Sequence, residues 1–467
     1  MRRTTRALCA TLAVALLATP AALTPFSARA LADMSQVQPE PPAAAQTAVA
    51  DTLFGDVRVD EYYWLRERGG PEVLGYLEAE NAYTDAMTAH LEGLQETIYE
   101  EMVGRIKETD LSVPYLDNGY FYYERTEEGK SYPILCRKKS LDAEEEVLLD
   151  QNALSEGHGF FEVWMTTVSP DNALMAYAAD TTGAEVYTIY VKDLATGELL
   201  PDVIDHADYG LEWAADSRTL FYLTMDEARR PDKLWRHTLG TDPTEDKLVF
   251  HETDPGYSVW VDKTRSNEYL IMSVGSRDTE EAYLLKADDP YGQFVLVAPR
   301  VDGVEYYLSH HGDEFYVRTN QDAKNFKVMK APSDAPSKEN WVTVIPERKD
   351  VKIERIDTFA DHLIVTERER GRRNIRVMNL SDGAEHYIDF PEPVYAVYLR
   401  DNAEYDTSEL RFAYQSYVTP ESVFDYDTRD RTRALLKQRE VLGGYDPALY
   451  KSERLFATAS DGTEIPV

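Results

Sequence analysis

The sequence predicts a mainly β chain, a seven-bladed β-propeller with an N-terminal α-helical extension, and three observations predict it. Short runs of β-branched and aromatic residues, parted by Asp/Asn/Gly turns, fill the chain from Leu111 to Glu440. Within that region a strand that reaches a polar turn and is followed at once by a second apolar strand recurs seven times. The copies read YLDNGYFYYER, VSPDNALMAYAAD, WAADSRTLFYLTM, DKTRSNEYLIMSV, SHHGDEFYVRTN, DTFADHLIVTER and NAEYDTSELRFAYQS. Ahead of them, from Pro71 to about Ile106, apolar residues recur at the three and four spacing of a helix.

The elements follow in chain order. Arg2, Arg3 and Arg6 precede an apolar run from Ala7 to Leu23 and Ala-x-Ala sites at Ala28/Ala30 and Ala30/Ala32, the pattern of a signal peptide over residues 1–32. The expectation is an exported protein, periplasmic or secreted. Thr19, Pro20 and Thr24 interrupt the apolar run, so no membrane attachment is expected after cleavage. Residues 33–50 include MSQVQPEPPAAAQTAVA, which has too few large apolar side chains to pack, and read as a flexible leader. Residues 51–110 form the helical extension. Gly70-Pro71 suits a helix start, Leu74 and Leu77 share a face, and Leu91, Leu94, Ile98 and Met102 continue the pattern, giving two helices with a break near His90.

Residues 111–443 form the propeller. The first apolar residue of the second strand in each copy is Tyr120, Leu174, Leu220, Leu270, Phe315, Leu363 and Leu410, at intervals of 54, 46, 50, 45, 48 and 47. That period suits a four-stranded blade, and closing the copies into a ring removes the sheet edges an open array would expose. A two-sheet sandwich predicts neither the copies nor the spacing. Residues 444–467 close on ERLFATASDGTEIPV, a strand, an Asp-Gly turn and the start of a return strand, which reads as a connection into the first strands of a further domain.

With 49 basic and 84 acidic residues the net charge is −35, and loss of residues 1–32, which hold four arginines and no acid, takes it to −39. Nucleic acid and anionic membrane surfaces are poor partners for such a chain, whereas cationic ligands suit it. Cys136 becomes the single cysteine once Cys9 is removed, and its strand setting, YPILCRKK, marks a packed thiol. No Gly-x-Ser-x-Gly nucleophile turn is present, and Ser258 in PGYSVWVD lacks the second glycine. His310 and His311 are neighbours on a strand and point to opposite faces, His158 lies in a Gly-flanked loop, and Asp425 to Asp430 lacks the central Gly and final Glu of a calcium loop. No catalytic, cofactor-binding or metal-binding residue is assigned on this basis, and no cofactor is expected. A propeller glycosidase would need carboxylates converging from different blades, which spacing alone does not single out among 84 acids.

VDEYYWLRE, Val59 to Glu67, followed by VLGYLEAENAYTDAM, resembles the N-terminal region of the prolyl oligopeptidase family of serine peptidases. IYEEMVGRIKETDLSVPYLDNGYFYYERTEEGKSYPILCRKK, EEVLLDQNALSEGHGFF, VSPDNALMAYAADTTGAEVYTIYVKDLATGELL and YQSYVTPESVFDYD are similar to its oligopeptidase B branch. The resemblance runs from about Asp51 to Val467 and departs where the family's Asp-Pro-Tyr is Asp60-Glu61-Tyr62 and where an Asp after Trp-Leu-Arg is Glu67. It implies a helical extension, a seven-bladed propeller and then an α/β-hydrolase domain bearing Ser, Asp and His, with the propeller admitting short peptides that are cut after Lys or Arg. The positions matching that triad would lie beyond Val467, so the resemblance implies a chain truncated before the hydrolase domain and inactive alone. Its expected partners are short basic peptides and the missing hydrolase domain, with self-association through the exposed face that this domain would cover. The alternatives are a stand-alone propeller that binds peptides or a partner protein, and the propeller glycosidase.

Overall fold

A computed structural model describes residues 39–467, so the expected signal peptide and the first part of the leader lie outside the described residues. The chain divides into two compact units, one ending at Val103 and one spanning Gly104–Val467. In the first, Val49–Leu53 pairs with Asp56–Asp60 through Phe54 and Gly55, both at positive φ (54° and 84°), as a two-residue hairpin of this twist requires. Two helices follow, α1 (Pro71–Thr88) and α2 (Glu92–Val103). Pro71 stands in the first turn, where a missing N–H costs nothing, and a 3₁₀ turn at Ala89–Leu91 makes the break expected near His90. Of the helical side chains only Val73 is buried; Leu74, Leu77, Leu94, Ile98 and Met102 are exposed.

The second unit is built from antiparallel sheets arranged in sequence. Sheet 1 (residues 110–150) has five strands, sheet 2 (162–251) has seven, and sheets 3 (258–298), 4 (306–345), 5 (351–387) and 6 (396–438) have four each. The polar turns of the repeat are explained by their backbone: Asn118, Asn172, Ser217 and Asn267 lie at φ between 46° and 62°, a region that Asn tolerates better than branched residues. The expectation of seven blades is corrected by this topology, since the ring holds six sheets. Leu199–Trp213 runs as one strand of 15 residues and joins the copies anchored on Leu174 and Leu220 into a single sheet. His206 at φ 60° and a register shift between Ala207 and Leu211 bend this strand without ending it.

Hydrogen bonds link each sheet to the next. Asn118 Nδ2 donates to Pro170 O (2.7 Å), Ala215 N to Ala287 O (2.8 Å), Ile353 N to Asn325 O (2.9 Å) and Ala360 N to Tyr405 O (2.9 Å), while Ser266 Oγ meets His310 Nδ1 (2.8 Å). Arg411 Nη1 donates to Pro114 O (2.7 Å) and closes sheet 6 on sheet 1. Between the sheets lie apolar cores: Phe221 and Leu234 of sheet 2 meet Val259 and Leu270 of sheet 3, and Phe359 and Ile364 of sheet 5 meet Phe412 and Tyr414 of sheet 6. At roughly 25 cal/mol per Å² of apolar area removed from water, this face-to-face burial is the main force holding the ring.

Candidate functional site

The first strand of each repeat faces inward. Ser258–Lys263 shows why: Val259 and Val261 are buried between sheets, and the alternate Trp260 and Asp262 stand open. Together these strands enclose two cavities of about 900 and about 710 Å³. The first is lined by Tyr115, Asp117, Thr166, Glu212 and Asp401, the second by Asp262, Tyr307, Ser309, Arg355 and Asp357. Lys263, Thr264, Arg265 and Ala403 line both, so the two adjoin as one channel space within the ring.

Its wall is strongly charged. Burial pushes the Glu212 carboxyl up to about 7, against the pull of the Lys263 ammonium, whose nitrogen lies 3.7 Å away. Burial also raises Asp117, with Glu404 adding to the effect and Lys263 opposing it. Asp357 accepts from two guanidinium groups: Arg355 donates to both its oxygens (2.7 and 2.8 Å) and Arg265 Nη2 donates to Oδ1 (2.8 Å). The wall thus sets carboxyl groups beside the cations of Lys263, Arg265 and Arg355, an arrangement suited to polar and charged ligands.

The residues weighed from sequence fall elsewhere. Ser258 opens an inner strand opposite Gly275. His310 is buried between the rings of Tyr269 (4.8 Å) and Phe315 (4.9 Å), while His311 Nε2 meets Ala360 O (3.0 Å), so the two imidazoles diverge. The exposed His158 bonds through its backbone N–H to Ser155 O. Asp425 accepts from Arg411 (2.7 and 2.8 Å), and Asp427 accepts from the backbone of Arg429 and Asp430, closing a turn. Cys136 is buried, and burial pushes its thiol up to about 12, which keeps it a packing group. Sequence reasoning missed Asp117, Glu212, Lys263, Arg265 and Asp357. Their one shared signal is position: each lies at the end of a repeat's first strand or in the turn after it.

Residues 41–439 match the family model described as the N-terminal beta-propeller domain of prolyl oligopeptidase. The chain is 40% identical over 448 residues to dipeptidyl aminopeptidase BI of Pseudoxanthomonas mexicana and 36% identical over 435 residues to protease 2 of Moraxella lacunata. Each alignment covers 91% of this chain and 62% of the relative, so the chain spans less than two thirds of these proteins. Among solved structures, oligopeptidase B from Leishmania major is similar with a TM-score of 0.85 at 32% identity, over 91% of this chain and 64% of that one.

Proposed function

The chain belongs to the prolyl oligopeptidase family, as an N-terminal propeller domain related to oligopeptidase B, and from that premise we propose that it serves an exported serine peptidase that cuts short peptides after Lys or Arg. The ring is the part that admits the peptide, and the chemistry belongs to a hydrolase domain encoded beyond residue 467. One observation carries this reading: a closed ring of sheets surrounds a polar channel, in a chain that matches about 62% of relatives named as peptidases. The net charge of −35 supports a cationic peptide as the ligand. The exposed apolar residues of α2, Leu94, Ile98 and Met102, support a surface that is covered in the longer protein and through which the shorter chain associates with itself.

The test is a chromogenic peptide with Arg before the scissile bond, offered to the 467-residue chain and to the product of the gene read onward. Hydrolysis by the longer protein alone is the expected result. Hydrolysis by the 467-residue chain itself, or downstream sequence without a Gly-x-Ser-x-Gly elbow, overturns the reading; the latter result leaves a peptide-binding propeller in its place.

A further inference from the structure

The channel arginines that hold the ring together direct their donors at protein. Arg265 of sheet 3 makes three hydrogen bonds, from Nε to Asn402 O (2.7 Å), from Nη1 to Thr358 O (3.0 Å) and from Nη2 to Asp357 Oδ1 (2.8 Å). Arg355 of sheet 5 donates twice to Asp357, and that carboxylate raises its pKa. Arg318 of sheet 4 differs. Its bond to the backbone, Nη1 to Ile353 O, is long at 3.3 Å, and no carboxylate pairs with it among the described residues. Its guanidinium lies 4.2 Å over the Tyr307 ring and 4.2 Å over the Phe326 ring. Tyr307 is its direct neighbour across the strand pair, and Phe326 stands in the loop after its strand. Stacking fixes the plane of the cation and leaves the in-plane fork of N–H groups for a further acceptor.

The charge of Arg318 is poorly compensated where it stands. Burial pulls the guanidinium below the ordinary arginine range and outweighs Tyr307, Glu305 and Glu354, which oppose the shift. Both acids are engaged elsewhere: Glu305 accepts from Tyr307 Oη (2.9 Å) and Asn320 Nδ2 (3.3 Å), and Glu354 from Arg368 Nε (2.5 Å) and Arg373 Nε (2.8 Å). These groups surround a third cavity of about 480 Å³, which adjoins the second through Arg318, Glu354 and Arg355. Lys352 also lines it, exposed, with Nζ 5.5 Å over Phe326 and no ion-pair partner among the described residues. Arg318, Lys352, Arg355 and Arg373 thus face two carboxylates, a local excess of positive charge in a chain of −35. Asp117 and Glu212 stand across the ring, in sheets 1 and 2. One wall of the channel space is acidic and the other basic.

We propose that Arg318 and Lys352 form a carboxylate site that takes the anionic group of a short basic peptide. The site deepens the reading of the ring as a peptide channel and rests on it. A carboxylate meets the fork of Arg318 with two parallel N–H···O bonds, and Lys352 adds a point charge beside the same Phe326 ring. A free C-terminus and a Glu side chain supply the same group, and the test separates them.

Calorimetric titration of the 467-residue chain compares three N-acetylated peptides built on Arg-Ala-Ala-Ala: one with a free C-terminus, one amidated, and one amidated with Glu in the last position. The free acid or the Glu peptide is expected to bind about tenfold tighter than the plain amide, and the tighter of the two identifies the source of the carboxylate. Arg318→Met, which keeps an apolar stem between the rings, should bring that ratio near one. Replacement of an exposed cation in Lys352→Gln should lower it about threefold. Thermal unfolding checks that both variants fold. Equal affinity for all three peptides, or an unchanged ratio in either folded variant, overturns the carboxylate site and leaves the peptide channel standing. Absence of binding by every peptide overturns the channel reading and the site with it.

Discussion

His237 sits fully buried in sheet 2 with Nδ1 2.7 Å from Asp246 Oδ1 and Nε2 3.1 Å from Asp202 Oδ1. A neutral imidazole carries one N–H, so bonds to two carboxylates require the imidazolium. Burial alone pulls the pKa down, but the hydrogen bonds that the imidazolium donates to Asp246 and Asp202 outweigh it and the net shift is upward. A group raised on folding adds stability that is complete below its unfolded value near 6.5 and is lost as pH climbs through its folded value. His237→Gln is therefore expected to cost about 3 to 5 kcal/mol at pH 6, read from urea unfolding, because two carboxylates are left without their cation. The gap to the unaltered chain should narrow at alkaline pH, and a gap independent of pH would show that the ring is neutral. Nothing in the sequence marks this group, since strand pairing alone brings residues 202, 237 and 246 together. The channel residues Glu212 and Asp357 were hidden for the same reason, being two acids among 84 until the ring places them.

At the scale of elements, local chemistry was legible and continuity was not. Gly70-Pro71 marked the start of α1, and the asparagines of the repeat marked turns that the backbone takes at positive φ. Leu199–Trp213 escaped because a period of two tells which face a residue occupies and is silent on where a strand ends. Within that strand a Cβ on Gly210 would lie 2.4 Å from Leu223 Cδ1 and 3.3 Å from Val261 Cγ1 of sheet 3, so the bend depends on a bare backbone. Gly210→Ala should destabilise the chain by about 1 to 3 kcal/mol in thermal unfolding, and Leu223→Ala in the same chain should recover part of that loss. Simple additivity of the two substitutions would place the strain elsewhere.

For the whole molecule, the repeats made a ring legible, whereas its closure depends on side chains that no repeat unit displays. Sheets 1 and 6 are built from separate stretches of chain and share no strand. Arg411 bridges them, holding Asp425 through both oxygens and Pro114 O with Nη1, and Lys437 bonds Asp110 and Leu111 O nearby. Arg411→Met should lower stability by about 1.5 to 3 kcal/mol, as expected for hydrogen bonds to a charged group. Amide exchange should rise first in residues 110–117 and 396–400, and uniform acceleration around the ring would refute this order of opening. A hoop cut once and fastened by clasps has its weakest cross-section chosen in advance. It can spread at that cut, like a split washer under load, and spring back without severing one rung of any β-ladder.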